Sequence, residues 1–140
     1  MRVYLDASIL VALFTHDALA EKADTILRTH SPVLIVSDFA AAEFASAIGR
    51  HVRLKGIKPQ DARHAFATFD AWVARATERA FTTSADVVSA AAFLRRLDLP
   101  LRTPDALNIA IAQRVGAEVL TFDHKMAGSA RALGTTVVMG

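Results

Sequence analysis

Short apolar stretches of strand length alternate along this chain with longer alanine-rich ones, and that alternation narrows the fold more than any other feature. RVYLD near the start and PVLIVS from Pro32 are strand candidates, as are RAFTT from Arg79, EVLTF from Glu118 and TTVVM from Thr135. SILVALF continues from the first strand as a helix, and Asp17 to His30 forms a second, broken by Ser31-Pro32. An alanine-rich helix runs from Asp38 to about Leu54 and stops at Gly56, and Pro59 opens the next, KPQDARHAFATFDAWVARA, which places Phe66, Phe69 and Val73 on one face. SADVVSAAAFLRRLD reads as a helix capped by Ser84. TPDALNIAIAQRVG reads as another, with Thr103 at the cap, Pro104 at the first position and Gly116 at the end. EVLTF and TTVVM close the chain, with no element assigned between them. Strands that alternate with helices in this way predict an α/β fold, a parallel sheet covered on both faces.

Bulk properties set the remaining bounds. A chain of 140 residues is long enough to bury a core and predicts a single domain over 1–140. Its hydrophobic fraction, 53%, lies slightly above the usual range of about 45–50%, and the excess is largely alanine, which suits close helix packing and a sizeable partner interface. The first apolar run, Ala7 to Phe14, is far short of the roughly 20 residues needed to span a bilayer, so no membrane association is expected. Asp6 interrupts any signal-peptide pattern, which leaves the cytoplasm as the expected location. Zero cysteines exclude disulfides and thiol catalysis. The five histidines show no i, i+4 pairing, which argues against a zinc site. Net charge is only +2, but GRHVRLKGIK concentrates Arg50, Arg53, Lys55 and Lys58 in one short segment.

Sites in parallel α/β sheets form beyond the carboxyl ends of the strands. Asp6 ends the first strand and Asp123 ends EVLTF, while Asp105 starts the helix that leads into EVLTF. Taken singly, these three have an ordinary explanation as caps or first-turn acids. Glu43 differs, because it stands among small and apolar residues in FAAAEFASAIG, where a carboxylate is either solvent-facing or buried with a partner. Together the four can converge on one pocket. Carboxylates within about 4–6 Å of one another cannot all ionise without a cation, and a hard divalent ion with oxygen ligands resolves the conflict. The usual work of such a site is phosphoryl chemistry. Ser8 and Thr121, each two residues from an acid, are candidates for contacting water or phosphate there, and Arg102 for facing a phosphate.

VYLDASILVALF, AAEFASAI and TPDALNIAIAQRVGAEVLTFD, in this order, resemble the PIN-domain ribonucleases, and among them the VapC toxins of bacterial toxin–antitoxin pairs. The resemblance runs from end to end, with acids at all four positions of the family's metal site. It implies a three-layer α/β/α sandwich with a central, mostly parallel sheet. It also implies Mg²⁺ or Mn²⁺ held by Asp6 and Asp105, with Asp123 completing the shell, and Glu43 orienting or deprotonating the attacking water. RNA is the implied substrate, with Arg50, Arg53 and Lys55 along its backbone. A cognate antitoxin and a homodimer follow from the same resemblance, with the helices from Asp38 and Pro59 as candidate surfaces. One departure stands after the last acid, where the family often carries an aromatic and this chain has His124, Lys125 and Met126; Met126 is expected to fill that apolar slot.

Two other readings compete. A haloacid-dehalogenase-type phosphatase would use Asp6 as nucleophile but requires an aspartate two residues on, where Ser8 stands. A degenerate domain that binds RNA or protein without cutting is opposed by the presence of all four acids. Phe66, Phe69 and Trp72 are read as packing rather than as a base-stacking face, because they recur at helical spacing.

Overall fold

The computed structural model describes residues 1–139. In chain order its elements are β1 (Arg2–Leu5), α1 (Ala7–Thr15), α2 (Ala20–His30), β2 (Val33–Ser37), α3 (Asp38–Arg53) and α4 (Pro59–Ala76). There follow β3 (Glu78–Ala80), α5 (Ser84–Leu94), α6 (Thr103–Arg114), β4 (Glu118–Thr121), α7 (His124–Ala132) and β5 (Val137–Met139). The strands form one sheet in the order β3-β2-β1-β4-β5, and every pairing is parallel, so the sheet is parallel throughout rather than mostly so.

The period of two along each strand divides the core. Val3, Leu5, Val36 and Leu120 face a layer built by α1, α2, α3 and α4. Tyr4, Ile35 and Val119, in register across three strands, face a layer built by α5, α6 and α7. The first layer is aromatic: Phe14 meets Phe44, Phe69 and Trp72 edge-on, and the Phe44 and Phe69 ring centroids are 4.4 Å apart. Phe66 joins through Phe44. Such pairs add about 0.5–1.5 kcal/mol each beyond simple burial. The aromatic residues of α4 therefore do pack. In the other layer, α6 is buried on every side from Ala106 to Ala112, with α5 packed against it.

Several boundaries differ from the sequence expectation. RAFTT contributes only its first two residues to a strand, which starts earlier at Glu78. The second helix begins at Ala20, because Asp17 instead accepts the Leu19 N–H at 2.7 Å in a turn. Thr83, not Ser84, caps α5, in a reciprocal box with Asp86. Arg102 occupies the cap of α6, with Thr103 its first residue. Gly116 ends that helix region with φ of 67°, a conformation natural to glycine. The one element not anticipated is α7, whose inward face is Met126, Ala127, Ser129 and Ala130 and whose middle holds a glycine.

Candidate active site

From β1 the chain proceeds outward to β2 and β3 on one side, then returns across the sheet to β4 and β5 on the other. The strand order therefore reverses between β1 and β4, and such a reversal opens a crevice at the carboxyl ends of the two strands. Asp6 directly follows β1 there, and Phe122 and Asp123 follow β4. The amino terminus of α6 brings Asp105 to the same edge, since α6 runs opposite to the strands, and the second turn of α3 brings Glu43.

Asp6 is only 7% exposed. Its Oδ2 accepts the Ser8 and Thr121 hydroxyls, each at 2.8 Å. Those hydroxyls in turn accept backbone N–H groups from the β4–α7 turn: Phe122 donates to Ser8 Oγ at 3.2 Å and Asp123 to Thr121 Oγ1 at 3.0 Å. Ser8 and Thr121, expected to contact water or phosphate, each give their one hydroxyl hydrogen to Asp6. Burial pushes the Asp6 carboxyl above its ordinary range, and the two hydroxyls and the first-turn amides of Ala7 and Ser8 only partly offset it.

Glu43 is half-buried and is also raised, first by burial and then by the charges of Asp6 and Asp105. Arg102 and a hydrogen bond from Asn108 pull the other way. The Asp105 side chain is 14% exposed, its Oδ2 3.6 Å from Nε of Arg102 and accepting the Arg102 N–H at 3.2 Å. Asp6, Glu43 and Asp105 thus share one electrostatic field. Asp123 differs, since its Oδ1 caps α7 by accepting the N–H groups of Lys125 and Met126 at 2.9 and 3.1 Å. Met126 is buried as expected. Among the described residues no three acidic or imidazole groups form a tight clasp for an ion.

A cleft of about 940 Å³ adjoins these acids, lined by Ser8, Glu43, Arg50, Arg53, Arg102 and Phe122 among others. Of the basic segment, Arg50 and Arg53 line the cleft, whereas Lys55 sits in a left-handed turn just past the end of α3. His124 is exposed at the first position of α7.

Three polar residues that the sequence reading passed over stand behind Glu43. Tyr4, Ser37 and Asn108 are all essentially fully buried. Asn108 Nδ2 donates to Glu43 Oε1 at 2.6 Å and to the Pro104 carbonyl at 2.9 Å. Its Oδ1 accepts the Tyr4 hydroxyl, which lies 2.6 Å from Ser37 Oγ, and Ser37 Oγ accepts the Ala40 N–H at 2.9 Å. The signal available in sequence was a single amide inside an otherwise apolar ALNIAIA.

The chemistry of this donor set fits a hard divalent cation. Magnesium takes one or two carboxylates directly and keeps several waters, so acids that share a field without forming a tight cage suit it better than a zinc-type cluster. Two raised carboxyls in one crevice also mark unneutralised charge that a cation would relieve.

Comparison with known proteins bears on the family and the fold. The family model described as PIN domain matches residues 3–131. Ribonuclease VapC46 of Mycobacterium tuberculosis is 30% identical over 142 aligned positions, covering 97% of this chain and 95% of that protein. Among solved structures, the sarcin-ricin loop cleaving toxin VapC20 of Mycobacterium tuberculosis superposes with a TM-score of 0.75 at 21% identity, covering 97% of this chain and 98% of that one. VapBC2 from Rickettsia felis, bound to a DNA fragment from its promoter, gives a TM-score of 0.71 at 15% identity, covering 99% and 98%.

Proposed function

Because the chain belongs to the PIN domain family, we propose that it is the ribonuclease toxin of a toxin–antitoxin pair, a metal-dependent endoribonuclease that hydrolyses phosphodiester bonds in single-stranded or looped RNA. The observation that carries this reading is the buried Asp6 carboxyl at the strand-order reversal, whose charge acts on Glu43 together with that of Asp105, beside a cleft lined by Glu43, Arg50, Arg53 and Arg102. Asp6 and Asp105 would hold Mg²⁺ or Mn²⁺, with Asp123 completing the set. The ion, when bound, polarises the scissile phosphate and neutralises developing charge.

The chain's own residues do the rest. Ser8 and Thr121 fix Asp6 in one orientation. Glu43, which lines the cleft with one carboxylate oxygen held by Asn108, orients the attacking water and takes its proton. Arg102, largely exposed at the cleft edge, meets a phosphate beside the scissile bond. Arg50 and Arg53 continue the phosphate track along α3, with Lys55 beyond it. An antitoxin that fills this cleft silences the enzyme, and a homodimer forms through the alanine-rich surfaces of α3 and α4. No described helix is long and apolar enough to cross a membrane, and the enzyme works where its RNA is, in the cytoplasm.

The test is cleavage of RNA by purified, antitoxin-free protein in Mn²⁺ or EDTA, beside Asp105→Asn. Cutting that needs both the ion and the carboxylate is the expected result. A nuclease signal that survives EDTA or the substitution would overturn the reading.

A further inference from the structure

We propose that Asn108, steadied by Tyr4 and Ser37, is a positioning residue that fixes the orientation of the Glu43 carboxylate. The inference rests on the reading of Glu43 as part of the hydrolytic site. Its grounds are the direction of the buried hydrogen bonds. The Glu43 carboxylate and the Pro104 carbonyl are both acceptors, so only the amide nitrogen of Asn108 can face them, and the amide oxygen is thereby turned to Tyr4. Tyr4 gives its one hydroxyl hydrogen to Asn108, so Ser37 must donate to Tyr4, and Ser37 in turn accepts from the Ala40 amide. Every donor from the α3 backbone onward points toward Glu43, with no ambiguous link.

This arrangement has a consequence for the cleft. Oε1 of Glu43 is held by a donor that cannot accept a proton, which leaves the other carboxylate oxygen to deal with whatever enters. The network spans four elements of the fold, β1 (Tyr4), β2 (Ser37), α3 (Ala40 and Glu43) and α6 (Asn108), so the orientation is set by the packed core. Groups of this kind that orient a metal-site carboxylate are typically worth about 10–100-fold in metal affinity or activity.

The experiment uses the full chain with Asn108→Leu and Tyr4→Phe together, beside Glu43→Gln and the triple combination. The double variant removes both ends of the Tyr4–Asn108 bond but leaves Ser37 Oγ, Glu43 Oε1 and the Pro104 carbonyl each short of a partner, so it is expected to melt lower than the wild type in EDTA and is assayed below its own melting temperature. Its kcat for RNA should nonetheless fall about 10–100-fold with KM little changed, and its Mn²⁺ affinity by calorimetry should weaken. In the Glu43→Gln background the same two changes should cost no further activity; a merely structural role would multiply through. Wild-type kcat and Mn²⁺ affinity in the double variant, with Glu43→Gln inactive, would overturn this inference and leave the site reading intact. Wild-type kcat in Glu43→Gln would remove both. If the double variant melts below the assay temperature, Tyr4→Phe alone removes the donor to Asn108 Oδ1 and should lower kcat several-fold; wild-type kcat there would overturn the proposal.

Discussion

Two pairs of carboxylates in this molecule are shifted in opposite directions. At the β3–α5 corner, burial would raise Asp86, but the Arg114 guanidinium at 2.8 Å and the Thr83 N–H at 2.8 Å outweigh it and hold the carboxyl below its ordinary range. Asp38 is lowered in the same manner, with burial outweighed by the hydroxyl and N–H of Thr82 and the N–H of Phe39. At the strand-order reversal, burial wins: Asp6 and Glu43 are raised despite their hydrogen bonds. Asp86 has the Arg114 guanidinium and Asp38 has the Thr82 and Phe39 donors at modest burial, whereas for Asp6 and Glu43 deeper burial outweighs the donors they have. Acids satisfied by the chain are structural; acids left with surplus charge in a crevice are where an external cation belongs.

The sharpest way to break this contrast is to neutralise one member of each pair. Asp6→Asn is expected to lower RNA cleavage by more than about 100-fold. Asp86→Asn should leave the rate of the folded enzyme unchanged, measured in the same assay below its melting temperature. Equal losses in both would erase the distinction.

Next in size is a stability effect confined to the corner. Arg114 also donates to the Phe81 carbonyl, so Arg114→Met leaves a buried carboxylate short of its partner and should destabilise by roughly 2–3 kcal/mol in urea unfolding. A change below a few tenths of that would mean the pair is decorative.

The pH dependence should separate the pairs as well. Asp38 and Asp86 have folded values below their unfolded ones, so their stabilisation is present above about pH 4 and is lost as pH falls through the depressed values. Asp6 and Glu43 have folded values above their unfolded ones, so in metal-free protein their ionisation costs stability as pH rises from about 4 upward. Melts against pH should therefore show an acid limb that Asp86→Asn flattens and Asp6→Asn does not.

The smallest effect expected lies along the cleft. Arg50→Gln with Arg53→Gln should weaken RNA binding alike for all sequences, and the log–log salt slope should fall by about 1.4, two contacts at about 0.7 each. An unchanged slope would take these residues out of the RNA path.

What could be read from the sequence was local. The end of RVYLD placed Asp6 at a sheet edge, and the alternation of periods gave the parallel α/β architecture, because both depend on neighbours a few residues apart. Helix α7 escaped because its buried face consists of alanine, serine and one methionine, without the branched residues that mark an apolar stripe. The capping role of Asp123 was legible all the same, because an acid directly after a strand is an ordinary helix cap. The network behind Glu43 escaped for a different reason. Tyr4 and Asn108 are 104 residues apart, and only the reversal of strand order brings β1 and α6 together over α3.

The most direct test of the central claim is a pair of thermal melts, wild type against Asp6→Asn, in EDTA and in saturating Mn²⁺. In EDTA the buried charge of Asp6 is uncompensated, so Asp6→Asn should melt higher than the wild type. In Mn²⁺ the wild type should gain stability by binding while the variant gains little, and the order should reverse. A wild type that melts higher in both conditions, with no response to Mn²⁺, would make Asp6 a structural acid like Asp86 and contradict the account.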